Sequence, residues 1–434
     1  MQQSIIDIST YCLKTLKQKA LSWAHQQSTV LCYLDSNEYK KDAYGQYECL
    51  LAVGVQRSLK VVESGTAFDE LYQFCRHKED WYFGHLSYDL KNELEDLSSQ
   101  NSDYLEGQDL FFFVPETLFI FHDNQLLELW SSTKKPTVIF DCILKQFVPD
   151  SSPSGTIDLQ AKMSKKSYLD TVQIIKSNIL EGEIYEMNFC QEYYAEKVEL
   201  QPLNLYNRLN SIAKAPYSAY YQINDFHLLC GSPERFLAKR GAEIISQPIK
   251  GTIARGANEE QDVAQQEKLK NSIKDKAEHV MIVDLVRNDL AKSCQAGSVE
   301  VDELFKIYSF ETVFQMISTV KGRLRADKNW LDALKEAFPM GSMTGAPKVR
   351  SMQLIETLEK SKRGLYSGAV GYINPQKDFD FNVVIRSILY NKAQQYLSMQ
   401  VGGAIVYDSD PEAEYQECLL KSSTMQRALS DVAT

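Results

Sequence analysis

A chain of 434 residues with 44% hydrophobic and 24% charged side chains has the profile of a soluble globular protein, large enough for one very large core or two to three ordinary ones. Its formal net charge of −11 argues against nucleic acid or an anionic membrane as the main partner, since either would repel the surface at long range. Nine cysteines without C-x-x-C spacing indicate neither a disulfide framework nor a thiolate zinc site, and suit a reducing cytoplasm.

The start, Met1-Gln2-Gln3-Ser4, lacks a basic region followed by an apolar one, so no export signal is expected. Aromatic, strand-like runs at Thr29 to Leu34, Trp81 to Leu90 and Leu110 to Phe121 carry no chemical motif of their own, and a structural role is expected for them. The last, the richest apolar stretch, is interrupted by Pro115-Glu116-Thr117, which argues against a membrane span. Turn-formers in Val148-Pro149-Asp150-Ser151-Ser152-Pro153-Ser154-Gly155 read as a linker between a smaller region, 1–150, and a larger one, 163–430.

Beyond it, Ser164 can cap a helix whose face is Tyr168, Val172, Ile175 and Ile179 and which ends at Gly182. In Tyr185, Met187, Phe189 and Gln191 the period becomes two, so Gln191 is expected to point inward from a strand. Further strands are predicted at Ser218 to Leu229, Glu243 to Ile249, Phe379 to Tyr390 and Gln395 to Tyr407, and helices at 259–292, 346–361 and 411–430. Meander-like strands with irregularly interspersed helices favour an α+β fold with antiparallel sheets over a parallel βαβ array.

Chemistry concentrates in the larger region. Lys250, in Gln247-Pro248-Ile249-Lys250-Gly251-Thr252, follows Glu234 of Gly231-Ser232-Pro233-Glu234-Arg235-Phe236 by sixteen positions. A lysine whose pKa is lowered by burial or a nearby cation can attack carbon, and a carboxylic acid opposite it can protonate a leaving hydroxyl. The alternative is a solvated lysine at a strand end. Asp275 and Glu278 stand three apart in a helical stretch, as do Glu414 and Glu417 after the cap Asp410-Pro411. Four carboxylates without a histidine cluster suit Mg²⁺; the alternative is a solvated face with Glu417 paired to Lys421. Gly341-Ser342-Met343-Thr344-Gly345-Ala346-Pro347-Lys348 opens a helix and could favour an anion. Arg386 and Tyr366 could clamp a carboxylate, and Gly402-Gly403 suggests a close backbone approach or a β-bulge.

Taken together, Ser232-Pro233-Glu234, Pro248-Ile249-Lys250-Gly251-Thr252, Ala277-Glu278-His279-Val280-Met281-Ile282-Val283-Asp284-Leu285-Val286-Arg287-Asn288-Asp289, Thr344-Gly345-Ala346-Pro347-Lys348 and Asp408-Ser409-Asp410-Pro411-Glu412 resemble the chorismate-utilising enzymes across 163–430. A looser match covers Leu34-Asp35-Ser36-Asn37 and Gly84-His85-Leu86-Ser87-Tyr88-Asp89-Leu90. The resemblance implies two large antiparallel sheets packed together and wrapped by helices, with the N-terminal region woven into the same body. It implies Mg²⁺ on Glu278, Glu417, Asp275 and Glu414, catalysis by Lys250 and Glu234, and a chorismate pocket from Gln191, Gly251, Thr252, Gln315, Thr344, Tyr366, Arg386, Gly402, Gly403 and Lys421. Gln315 stands where many members have histidine; it can hydrogen-bond but cannot supply a proton. Isochorismate and salicylate enzymes have lysine in place of Gln191, and anthranilate synthases usually have alanine in place of Lys250. This pair therefore resembles the branch that makes 4-amino-4-deoxychorismate for p-aminobenzoate and folate. Without a Gly-x-Cys-x-Gly elbow or an evident triad, the chain is expected to take ammonia from a separate glutamine amidotransferase. Anthranilate synthesis, isochorismate formation and a non-catalytic chorismate-binding regulator remain as alternatives.

Overall fold

The structure, a computed structural model, describes all residues except 64, 77, 149–156, 312 and 431–434, so most of the expected linker lies outside the described residues. Two antiparallel sheets of twelve and ten strands form the body. Both draw on both ends of the chain. Val30–Asp35 pairs with Tyr217–Ile223 in the larger sheet, and Tyr82–Leu86 pairs with Ala369–Ile373 in the smaller. Regions 1–150 and 163–430 thus share continuous hydrogen-bonded ladders.

Period-two alternation explains the layering. Along Thr117–Phe121, Leu118 and Ile120 enter the core between the sheets with Phe83, Phe112, Leu237 and Phe381. Phe119 and Phe121 face the other way, toward an outer layer of helices that includes Lys165–Leu180, Pro202–Ala213 and Pro411–Leu429. Strands buried on both faces need no polar side, which is why Leu110 to Phe121 reads as one apolar run. It is two strands: Leu110–Val114 belongs to the smaller sheet, and the chain crosses at Pro115-Glu116 into the larger. The predicted strand Phe379 to Tyr390 divides in the same way, into Phe379–Asn382 and Ser387–Asn391. The intervening Arg386 has φ +51°, so it forms part of a crossing rather than a strand end.

Other expectations are met or corrected locally. Ser164 accepts a hydrogen bond from Ser167 N, Tyr168, Val172 and Ile175 are buried, and Gly182 takes φ +80° beyond the helix end. Helix 259–292 is two helices, Glu259–Lys270 and Ile273–Ser293, because Ser272 breaks the run and caps the second by accepting from Asp275 N. Ser218 to Leu229 is a hairpin, Tyr217–Ile223 and Phe226–Ser232, turning at Asn224, which has φ +52°. Two long strands, Glu300–Ser309 and Val313–Arg323, were not expected.

One buried cluster ties the loop 341–346 to the strand Glu186–Ala195. Arg363, 2% exposed, donates to Met343 O (2.7 Å), Asn188 O (3.0 Å) and the carboxylate of Glu359 (2.6 and 2.9 Å), which also accepts from Cys190 N (2.9 Å). Removing one partner leaves an uncompensated buried charge. Glu359→Ala is therefore expected to destabilise the protein by about 3–5 kcal/mol, read as a lower urea midpoint; an unchanged midpoint would contradict the role given to this pair.

Candidate active site

The site grows from alternation along Glu186–Ala195. Met187 and Phe189 face the helical layer, and Gln191 shares their face: its Nε2 donates to Tyr193 OH (2.9 Å) and contacts Cys418 Sγ (3.7 Å). Glu186, Asn188 and Cys190 face the opposite way. Glu186 Oε1 lies 2.8 Å from Lys250 Nζ, Asn188 Nδ2 donates to Ser342 O (3.1 Å), and Cys190 Sγ lies 3.5 Å from Tyr366 OH. Gln191 is inward-pointing as expected, but a one-residue offset places it on the wrong face to meet Lys250. Tyr185, assigned to the same face, precedes the strand and is 69% exposed.

Lys250 is aimed by a bulge. In the ladder between Ile249–Ala254 and Val313–Arg323, Ile249 pairs with Ile317 and Thr252 with Gln315, so one strand carries an extra residue at Lys250-Gly251, where Gly251 has φ +80°. The lysine side chain is 12% exposed. Burial pulls its pKa down, but Glu186, then Glu278 and Glu417, outweigh that and hold the ammonium above the ordinary lysine value. The expected lowering is thus reversed in the resting site, because the nearest charges are carboxylates and not cations.

Glu234 follows Phe226–Ser232 and is 6% exposed; its backbone N–H donates to Ser232 Oγ (3.2 Å). Burial raises its pKa to about 7, against the opposing pull of a Ser342 hydrogen bond and the charges of Lys250 and Lys421. It can therefore carry a proton near neutrality, as a general acid must.

The four expected metal ligands lie on two facing helices, Ile273–Ser293 and Pro411–Leu429, the second capped by Asp410 accepting from Ala413 N. Lys274 Nζ spans the gap, 3.7 Å from Glu278 Oε1 and 3.8 Å from Glu414 Oε1. Burial raises Glu278 to about 7, and Glu414 is raised by burial and by Glu417. Glu417 is held low, chiefly by Lys421 at 2.6 Å, the i,i+4 pairing that had been the alternative reading. Asp275 packs under Gly251: a Cβ there would sit 3.2 Å from Asp275 Cγ. Among the described residues, no three Asp, Glu, His or Cys side chains converge as a metal-ligand group in this arrangement. The donor chemistry nevertheless fits a hard cation: the expected ligands are all oxygen, and Lys274 sits between Glu278 on one helix and Glu414 on the other.

Gly402 and Gly403 continue the ladder opposite Cys190 and Phe189 without a bulge, which decides for close approach. A Cβ on Gly402 would fall 2.2 Å from Phe189 O, whereas one on Gly403 would point at Glu414, Glu417 and Lys421 at 3.4–3.6 Å. Lys421 Nζ also donates to Gly402 O (2.9 Å). The Arg386 guanidinium makes one long hydrogen bond, to Lys421 O (3.4 Å), among the described residues, and burial lowers its pKa. A guanidinium so poorly matched can take a carboxylate, and the neutral phenol of Tyr366, 3% exposed, lies within interaction range of it. Gln315 Nε2 reaches Thr252 Oγ1 at 3.5 Å, leaving Gln315 Oε1 buried without a partner among the described residues.

The expected anion site at the 341–348 junction is corrected. Lys348 Nζ is held by Asp289 Oδ2 (2.6 Å) and Pro339 O (2.8 Å), and Thr344 Oγ1 donates within its own loop to Met340 O and Gly341 O. These residues shape the loop that presents Ser342 to Glu234. Sequence reasoning missed Glu186 and Lys274. An acid inside a strand otherwise buried on both faces was the available signal for the first; for the second it was the i,i+4 spacing of Lys274 and Glu278.

The described residues contain no helix long and apolar enough to cross a membrane, and the nine cysteines are free. The chain is 34% identical over 361 residues to aminodeoxychorismate synthase component 1 of Bacillus subtilis, covering 80% of this chain and 76% of that protein. It is 36% identical over 390 residues to the probable chloroplastic aminodeoxychorismate synthase of rice, covering 81% of this chain but only 43% of that longer protein. Its fold matches anthranilate synthase component I of Streptococcus pneumoniae with a TM-score of 0.77 at 26% identity, over 90% of this chain and 95% of that one. The family profile for chorismate binding enzymes matches residues 30–427, most of the chain, and the chain belongs to that family.

Proposed function

We propose that this protein converts chorismate and ammonia to 4-amino-4-deoxychorismate, in the branch leading to p-aminobenzoate and folate, with the ammonia supplied in the cytoplasm by a glutamine amidotransferase subunit. The observation that carries the reading is Lys250, largely covered on a bulge beside the acidic helices and within electrostatic reach of Glu234. Two relatives named for this activity support it. So does the lysine itself, in the position where the resemblance to anthranilate synthases would put alanine.

Glu278, Glu417, Asp275 and Glu414 would hold Mg²⁺. Bound there, the ion supplies neutralising charge and orientation for the ring carboxylate. Arg386 and Tyr366 take the enolpyruvyl carboxylate, and Gly251, Thr252, Gln315, Gly402, Gly403 and Lys421 line the ring. Lys250 Nζ bonds to C2 as the two conjugated ring double bonds shift and the C4–O bond breaks, Glu234 giving its proton to the departing hydroxyl. Ammonia then bonds to C4, both double bonds shift back, and the C2–N bond breaks to release Lys250 as a free amine. The protein incubated with chorismate, Mg²⁺ and ammonium should release a product of aminodeoxychorismate mass that retains the enolpyruvyl group. Pyruvate release with anthranilate, or isochorismate formed without ammonium, would overturn this reading.

A further inference from the structure

We infer that Glu186 is a further catalytic residue of this chain, the base that takes the proton from Lys250 and returns it at the end of the cycle. The inference rests on the function proposed above and deepens it. A nucleophilic amine must be neutral, yet Lys250 Nζ rests in an ion pair, 2.8 Å from Glu186 Oε1. Its proton needs an acceptor within reach of the amine.

Geometry singles out one group. Glu186 Oε1 is 2.8 Å from Lys250 Nζ, the only ion pair Lys250 makes among the described residues. The other oxygen, Oε2, is buried and meets no donor among the described residues. The carboxylate therefore has one oxygen on the reacting amine and one unclaimed, and can accept a proton without giving up another bond. Its backbone is fixed: Ser351 Oγ donates to Glu186 O (3.2 Å), and Gly345, at φ +145°, leaves no room for a Cβ, which would come 2.2 Å from that same oxygen.

The other charged or titratable groups that act on Lys250 have other duties. From the helix Ile273–Ser293 come Glu278, an expected metal ligand, and His279, which burial keeps neutral near neutrality and whose Nε2 lies 2.7 Å from Ser318 Oγ. Glu417, from Pro411–Leu429, is paired with Lys421, and Glu234 must keep its own proton for the leaving hydroxyl.

The proton balance closes. Lys250–NH₃⁺ and Glu186–COO⁻ become amine and acid. Attack at C2 leaves the lysine nitrogen cationic while Glu234 loses its proton to form water. Attack of ammonia at C4 expels neutral lysine, the new C4 ammonium returns a proton to Glu234, and Glu186 returns its proton to Lys250. No external base is needed while the pair holds one proton, so the rate of adduct formation should be flat across that pH range.

The test is single-turnover formation of the Lys250–chorismate adduct, without ammonium and with Mg²⁺, as a function of pH in wild type, Glu186→Gln and Glu186→Asp. Glu186→Gln should be slowed at least about 100-fold near neutrality and should regain rate with rising pH, as solvent strips the amine. Glu186→Asp should keep the flat wild-type profile at a reduced rate; this also decides the matter if the glutamine variant does not fold. Glu186→Gln as fast as wild type, a loss that does not change with pH, or an aspartate variant whose rate climbs with pH would each overturn the role of Glu186. Wild type that makes aminodeoxychorismate alongside such results would leave the proposed function standing. Wild type that forms neither adduct nor aminodeoxychorismate would sink that function and the role of Glu186 with it.

Discussion

Lys250→Ala should lower kcat/KM for aminodeoxychorismate formation by about 10³-fold or more, equivalent to about 4 kcal/mol of lost transition-state stabilisation. Two-step substitution through lysine replaces one hard displacement by two easier ones, and alanine offers no nucleophile for the first. Lys250 sits on a bulge, where the ladder is already interrupted, but its loss leaves the Glu186 carboxylate buried without a partner, so by the argument made for Glu359 the variant should lose about 3–5 kcal/mol of stability. Chorismate binding measured by calorimetry, at a urea concentration and temperature where the variant is folded, should survive without turnover. Full activity with alanine would show that ammonia attacks the ring directly.

Glu278→Gln should reduce Mg²⁺-dependent turnover by more than about 100-fold, since changing residues one layer outside a metal site already produces effects of 10- to 100-fold. The amide keeps the shape of the carboxylate and removes its charge, so the loss tests charge rather than packing. A titration of Mg²⁺ against activity separates the two cases: a displaced midpoint identifies a ligand, whereas an unchanged midpoint with lower stability identifies a structural carboxylate. The same variant removes one of the acids that hold Lys274 between the two helices, so its side chain should become more mobile.

Much of this arrangement was legible before any coordinates. Capping at Ser164 and Asp410, the acidic pairs at i,i+3 and the glycine beside Lys250 each follow from local chemistry, and the structure shows the caps, the facing helices and the left-handed Gly251. Failures concentrate where position in the fold decides. Leu110 to Phe121 and Phe379 to Tyr390 each read as a single element because strands buried on both faces lose the alternation that would mark a crossing. Period-two alternation points Gln191 inward, but in a sheet covered on both sides inward has two meanings, and the reacting lysine lies on the face of Glu186. Lys348 beside glycine and proline looked available to an anion because Asp289, which holds it, is fifty-nine positions away in sequence. The sign of the Lys250 shift was misjudged for a similar reason: the charges that set it come from strand Glu186–Ala195 and from two separate helices.

The most direct measurement of the central claim is the intact mass of the protein mixed with chorismate and Mg²⁺ in the absence of ammonium, followed by peptide mapping. Attack by the lysine with loss of water predicts a mass increase equal to chorismate minus water, located on Lys250 and discharged as aminodeoxychorismate when ammonium is added. An unmodified protein that nevertheless makes aminodeoxychorismate once ammonium is present, or a label on a different residue, would contradict the account.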